Sequence, residues 1–592
     1  MQTPANARRL GVAASPTLGQ IGMIMPEPSL ITVARGDAPA DILFRRGRVI
    51  NVFTGEVEGV DVAVSGLHVA GLGPGYDAVS VVDLDGRFLL PGFIDAHVHV
   101  ESSLATPREF ARAVVPHGTT TVVSDPHEIA NVHGMEGILY MLEASEGLPL
   151  TVFVMASSCV PATAMGTAGA ELDADALECL LHHPRVLGLA EVMNFPGVIF
   201  EDPLVMAKLD AFSGRMVDGH APGVRGKALN AYIAGGPSSD HESTSPQEAL
   251  EKMRRGMTVF FREATNARNL LALLPALTPE NRRRVALCTD DRQPQDLLDL
   301  GGIDAMIRTV IQEGIPPIEA VRLATLNPAE HFRLADRGAI APGRRADLLI
   351  LDDLEALAIS EVFSGGVPVA RDGATLPWKL PAPPAPPPPA MTVDWKAMDL
   401  RIPAREGTVR VIQVIPHQIV TGAGELVPSV AHGQVVSDPS RDLLKIAVME
   451  RHTGSGQVGL GLVTGMGLKK GAIAGTVAHD HHNLLAIGVD DESILTAAMR
   501  VAEMGGGLAV SLGGEILETL PLPVGGLMSE EPIRAVRERL DRMLEAVRAL
   551  GSPLHDPFMA MSFLALEVIP SLKITDQGLV DVDRFEKVGL WV

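Results

Sequence analysis

Short apolar runs separated by turn residues set the texture of the chain from about Asp41. Asp41-Ile42-Leu43-Phe44, Arg48-Val49-Ile50-Asn51-Val52, Asp61-Val62-Ala63-Val64 and His68-Val69-Ala70-Gly71-Leu72 are such runs. Their length and bounding residues predict strands of a small antiparallel sheet. A related pattern returns at residues 338–351. The two stretches are expected to form halves of one composite β-sandwich, residues 36–88 plus 336–380. Between them, apolar runs such as 119–123, 150–155, 186–190 and 285–288 alternate with helical patterns. That alternation predicts an α/β chain with a (β/α)8 barrel over residues 89–335, its chemistry at the C-terminal ends of the strands. A proline run then spans 381–390. It favours polyproline II and is expected to be a semi-rigid linker, with an SH3-type ligand as the alternative. The remainder, 391–592, is expected to be a C-terminal α/β domain with a charged helix around residues 532–550.

Length and charge narrow the picture. At 592 residues the chain is too long for one core, and about three domains are expected. With 46% hydrophobic and 20% charged residues it is of globular type. A net charge of −23 argues against nucleic acid or an anionic membrane as partner. Cys159, Cys179 and Cys288 form no CxxC, which suits a reducing, cytoplasmic setting. Residues 1–35 read as an N-terminal extension without the apolar core of a signal peptide. No stretch reaches the length of a transmembrane helix.

Candidate chemistry gathers where apolar runs end. Residues 89–99 read as one short strand carrying His97 and His99. Side chains two apart share a strand face, and imidazole is a common metal ligand. Asp125-Pro126-His127-Glu128 follows the run ending at Val123. It reads equally as a catalytic loop or as an Asx turn leading into a helix with Glu128 in its first turn. Glu191, His220, His241 and Asp290 each follow a short apolar run. Singly, each is the kind of residue that caps or faces solvent. Together, in the order HxH, Glu, His, His, Asp, they fit one site shared by several strands. His479, Asp480 and His482 form a further cluster, either a lid that reaches over the barrel mouth and contacts substrate or a further metal, or a hydrogen-bonded turn that stabilises the C-terminal domain.

These stretches, with others, resemble adenine deaminase of the bacterial type, within the amidohydrolase superfamily. The likeness covers residues 91–103, 116–121, Asp125-Pro126-His127-Glu128-Ile129-Ala130-Asn131-Val132, 188–194, 218–223, 239–242 and 289–291. In the C-terminal part it covers 450–452, 471–474, 479–483 and 520–529. HxH marks only the superfamily; the others are more specific. The resemblance implies two divalent metal ions, Mn or Fe with Zn as a further option. His97 and His99 would hold one, His220 and His241 the other, and Glu191 would bridge them. Asp290 would ligate and shuttle protons. A carbamylated lysine is the bridge in many superfamily members, so Glu191 argues against hydantoinase-like enzymes. The implied reaction is hydrolysis of adenine to hypoxanthine and ammonia in purine salvage, with a metal-bound hydroxide attacking C6. Glu128 or Asp125 would protonate N1 or orient the purine. Adenine is the expected partner, with no nucleic acid or membrane, in a homo-oligomer of which a dimer is the simplest form. Cleavage of a cyclic amide and a non-catalytic scaffold are the rival readings.

Overall fold

The computed structural model describes residues 29–592. Most of the expected N-terminal extension therefore lies outside the described residues. Its end, Leu30–Ala34, is a short helix capped by Ser29, whose hydroxyl accepts the Thr32 N–H.

The first apolar runs form strands, but not one antiparallel sheet. Ala40–Arg45, Val62–Ser65, His68–Leu72 and Ala78–Asp83 make a four-stranded sheet. In it Ala40–Arg45 runs antiparallel to Val62–Ser65 and parallel to Ala78–Asp83. Arg48–Asn51 leaves for a seven-stranded sheet, where it lies parallel to Phe88–Pro91. Between Ala40–Arg45 and Arg48–Asn51, Gly47 packs on Leu84, where a Cβ would lie 2.1 Å from Leu84 Cδ1, and the chain passes from one sheet to the other. Leu348–Asp353 and Ala358–Ser364 join that second sheet. Phe44, Val64, Leu89, Leu348 and Phe363 bury one core between the two.

The stretch expected as a single strand, residues 89–99, breaks at Gly92. Phe88–Pro91 stays in the seven-stranded sheet, and Phe93–Val98 begins a parallel array. Gly92 donates its N–H to Asp347 O and passes so close to Thr120 that a Cβ would lie 2.2 Å from Oγ1. Gly92→Ala is expected to cost about 1–3 kcal/mol by overpacking, read as a lowered thermal midpoint. An unchanged midpoint would mean that Thr120 turns aside freely.

The parallel array holds β1 (Phe93–Val98), β2 (Thr119–Ser124), β3 (Thr151–Ser157), β4 (Val186–Val192) and β5 (Met216–Gly219) in one five-stranded sheet. β6 (Ser239–Asp240), β7 (Thr258–Arg262) and β8 (Val285–Cys288) form a three-stranded parallel sheet. Ser238 N–H donates to Val217 O beside β5, and Asp290 N–H to His97 O beside β1, so the two sheets meet at both edges. Ile94, Val123, Met155, Ala190, Phe260 and Cys288 pack into one cluster drawn from both sheets.

Residues 381–390 carry no helix or strand, as their prolines dictate. Beyond them lies a sheet-rich region built on eight strands. The helix Ile533–Leu550 buries Ile533, Val536, Leu540, Met543, Leu544, Val547 and Leu550, a helical stripe that packs on the strand Glu515–Pro521. Gly551, at φ +117°, ends it. Among the described residues, no helix is long and apolar enough to cross a membrane.

Candidate active site

The strand ends deliver the expected side chains to one place. His97 lies in β1 and His99 directly after it. Glu191 sits near the end of β4, and His220, His241 and Asp290 follow β5, β6 and β8. Their placement has local causes. Asp95 in β1 accepts the Thr289 N–H at 3.0 Å and the Thr289 hydroxyl, tying β1 to the turn that carries Asp290. Asp290 itself has φ +54°, a conformation that Asp tolerates better than most residues. Tyr232 Oη accepts the His220 N–H at 2.9 Å and donates to Val192 O at 2.8 Å. Asp240 accepts the Ala221 N–H at 3.0 Å and pairs with buried Lys252 at 2.8 Å, fixing the residue before His241.

Glu191 stands between two histidine pairs. Its Oε1 lies 3.7 Å from His97 Nε2 and 3.2 Å from His99 Nε2. Its Oε2 lies 2.6 Å from His220 Nδ1 and 3.0 Å from His241 Nε2. Asp290 Oδ1 is 3.5 Å from His97 Nε2 and 3.2 Å from His99 Nε2. All six residues are buried. The donor atoms of His97, His99 and Glu191 lie within 4.8 Å of one another, as do those of Glu191, His220 and His241.

The cluster is electrostatically polarised. Burial opposes a charge on His97, but Asp290 and Glu191 outweigh it and push its pKa up to about 10. His99 is raised in the same way. Burial works against the Glu191 carboxylate too, yet His241 and His220 hold it well below the usual range. Protonated imidazoles with Nε2 atoms 3.1 Å apart, as in His97 and His99, repel each other. Divalent cations would replace those protons and remove the repulsion. The nitrogen and oxygen donor set, free of thiolate, fits such ions.

A cavity opens on the cluster. His99, Glu191, His220, His241 and Asp290 line it from the parallel strands. Ile419, His479, Asp480, Phe563, Leu566 and Ile569 line it from the C-terminal region.

Comparison with known proteins agrees with this division. Residues 88–370 match the amidohydrolase family, and residues 418–586 match the adenine deaminase C-terminal domain. Over 571 residues the chain is 51% identical to adenine deaminase of Desulfatibacillum aliphaticivorans, covering 96% of this chain and 100% of that one. The chain belongs to the adenine deaminase family. It is also 49% identical to adenine deaminase of Oleidesulfovibrio alaskensis, covering 95% of this chain and 98% of that one. Among solved structures, a β-aspartyl dipeptidase from Fervidobacterium islandicum AW-1 aligns with a TM-score of 0.43 and 21% identity, over 57% of this chain and 99% of its own.

In this member of the adenine deaminase family, Asp125 and Glu128 sit behind the cavity wall. Asp125 Oδ1 accepts the Ser157 hydroxyl at 2.5 Å and Oδ2 the Glu191 N–H at 2.6 Å, so both oxygens hold neighbouring strand ends. Glu128 Oε1 is 2.9 Å from Ser102 Oγ, which is also 2.5 Å from Asp291 Oδ1. Asp291 does line the cavity. Burial raises the Glu128 carboxyl, partly offset by His479. Of the cluster at 479–482, His479 and Asp480 face the cavity, while His482 Nδ1 accepts the Ala478 N–H within its turn.

Several site residues escaped the sequence reading. Arg262 closes β7 and is buried against two carboxylates. It donates through Nη1 to Glu242 and, at 2.9 Å, to Asp290 Oδ2, and through Nη2 to Glu242 Oε2 at 2.9 Å. It ends an apolar run, the same signal that singled out Glu191. His127 and Glu242 each neighbour a chosen residue and also line the cavity. Phe563 and the apolar wall offered no signal of their own.

Proposed function

We propose that this chain hydrolyses adenine to hypoxanthine and ammonia in a binuclear metal site. One observation carries the reading. A single cavity draws its lining from both family-matched regions, with a carboxylate set between two histidine pairs at its floor. His97 and His99 would hold one divalent ion and His220 and His241 the other, with Glu191 shared and Asp290 beside the first. Mn²⁺ or Fe²⁺ suits this set, and Zn²⁺ is compatible. When bound, such ions supply water activated for attack at neutral pH.

The chain's own groups do the rest. Met193, Ile419, Phe563, Leu566 and Ile569 give a planar heterocycle apolar walls. Asp290, held as a carboxylate by Arg262, accepts the proton of the attacking water and returns it to the departing amine. Breaking the ring's conjugation at C6 requires a proton at N1, and the Glu128–Ser102–Asp291 array is assigned to it. Asp125 orients Glu191 through its N–H.

The same reading includes the architecture. The two parallel sheets constitute a closed (β/α)8 barrel over 89–335. Residues 36–88 plus 336–380 form a composite β-sandwich, 381–390 a linker and 391–592 the C-terminal α/β domain, after an extension at 1–35. Purine salvage in the cytoplasm by a homodimer, without nucleic acid or membrane partners, completes it.

Metal-stripped protein reloaded with Mn²⁺ or Fe²⁺ is expected to convert adenine to hypoxanthine with one ammonia per turnover. Inactivity on adenine with cleavage of a cyclic amide would overturn the assignment.

A further inference from the structure

We propose that His127, His479 and Asp480 form a third divalent-cation site, distinct from the pair at Glu191, which pins the C-terminal region to the loop after β2. His127 begins the helix His127–His133, immediately beyond that loop. The other two belong to the C-terminal region. All three are buried, and their donor atoms lie within 4.8 Å of one another.

The spacing matches that of the Glu191 cluster. Asp480 Oδ1 is 3.4 Å from His127 Nε2 and 3.5 Å from His479 Nδ1. Glu191 Oε1 is 3.7 Å and 3.2 Å from its own two histidines. Donors separated this way are too far apart for good hydrogen bonds, yet close enough to share one ion about 2.0–2.2 Å from each.

The chemistry of the set selects the ion. Two imidazoles and one carboxylate suit Zn²⁺ and similar borderline cations, and three protein ligands leave a coordination position open. His127, His479 and Asp480 all line the cavity, so that position faces it. The His479 ring is held in place by stacking on Phe563, with centroids 4.5 Å apart and planes 6° from parallel. A divalent ion satisfies these donors directly. It also couples residues far apart in the chain, holding the cavity roof at a fixed distance from its floor.

The test is a count of metal in the full chain. Protein stripped by chelation, loaded with Zn²⁺ and freed of excess is expected to retain three ions per chain. His479→Gln and Asp480→Asn should each retain two. Equal counts in wild type and both variants would overturn the proposal and leave an ion-paired triad in its place. Anomalous diffraction at the zinc edge from the wild-type protein gives an answer independent of how the variants fold. A peak between His127, His479 and Asp480 is expected, and its absence while the Glu191 cluster is filled would overturn the proposal. Neither result depends on which substrate is turned over, so the deaminase reading stands or falls separately.

Discussion

Asp290→Asn is expected to fold normally and to lose about a thousandfold in adenine turnover, within the range for removal of a general acid–base group. The fold survives for two reasons. Asn tolerates the left-handed φ of +54° that this position adopts. Its amide oxygen can still accept from Arg262, which now reaches Asp290 Oδ2 at 2.9 Å. Turnover fails because an amide cannot accept and return a proton. In the wild-type site, burial opposes the Asp290 carboxylate but Arg262, His97 and His99 hold it well below the usual range, so it is anionic at neutral pH. The measurement is steady-state turnover of the metal-loaded variant beside its thermal midpoint. Activity within tenfold of wild type, with unchanged metal content, would remove Asp290 from proton transfer.

The histidine and carboxylate cluster is legible because a parallel strand delivers its functional residue just after its apolar run. His97, His99, Glu191, His220, His241 and Asp290 all obey that rule, and their order along the chain is the order of strands. Arg262 obeys it as well, at the end of β7. A lone arginine after a strand reads as a solvent-facing charge, and its burial against Glu242 and Asp290 is a tertiary fact. The roof of the cavity was harder. His479 and Asp480 stand out as a polar cluster whose role the sequence leaves open, and nothing periodic around Phe563 marks it as facing the cavity. The same limit applies to the sheets. Alternation identifies Ala40–Arg45 and Arg48–Asn51 as strands, but the contact of Gly47 with Leu84 decides that they enter different sheets. Likewise the apolar text of residues 89–99 is continuous, and only the crossing of Thr120 over Gly92 divides it.

Arg262→Met is expected to destabilise the protein by about 3–5 kcal/mol, the usual consequence of removing one partner from a buried ionic network. Arg262 is 1% exposed and engages Glu242 with both terminal nitrogens while also bonding Asp290. Methionine fills much of the volume but removes the one guanidinium that two buried carboxylates share. Glu242→Gln added to Arg262→Met should recover part of the loss, because it removes one of the stranded charges. A double-mutant cycle then reports the coupling. Arg262→Lys keeps the charge but not the planar fork, so it should fall between the two. Activity carries a separate signature. Arg262 is the chief favourable influence on the Asp290 carboxylate, so its loss raises that pKa. The form that accepts a proton is the anion, and the acid limb of the turnover profile should therefore move to higher pH. A thermal midpoint and an acid limb both matching wild type would mean that water or a cation already neutralises Glu242 and Asp290, and that Arg262 is dispensable to the site.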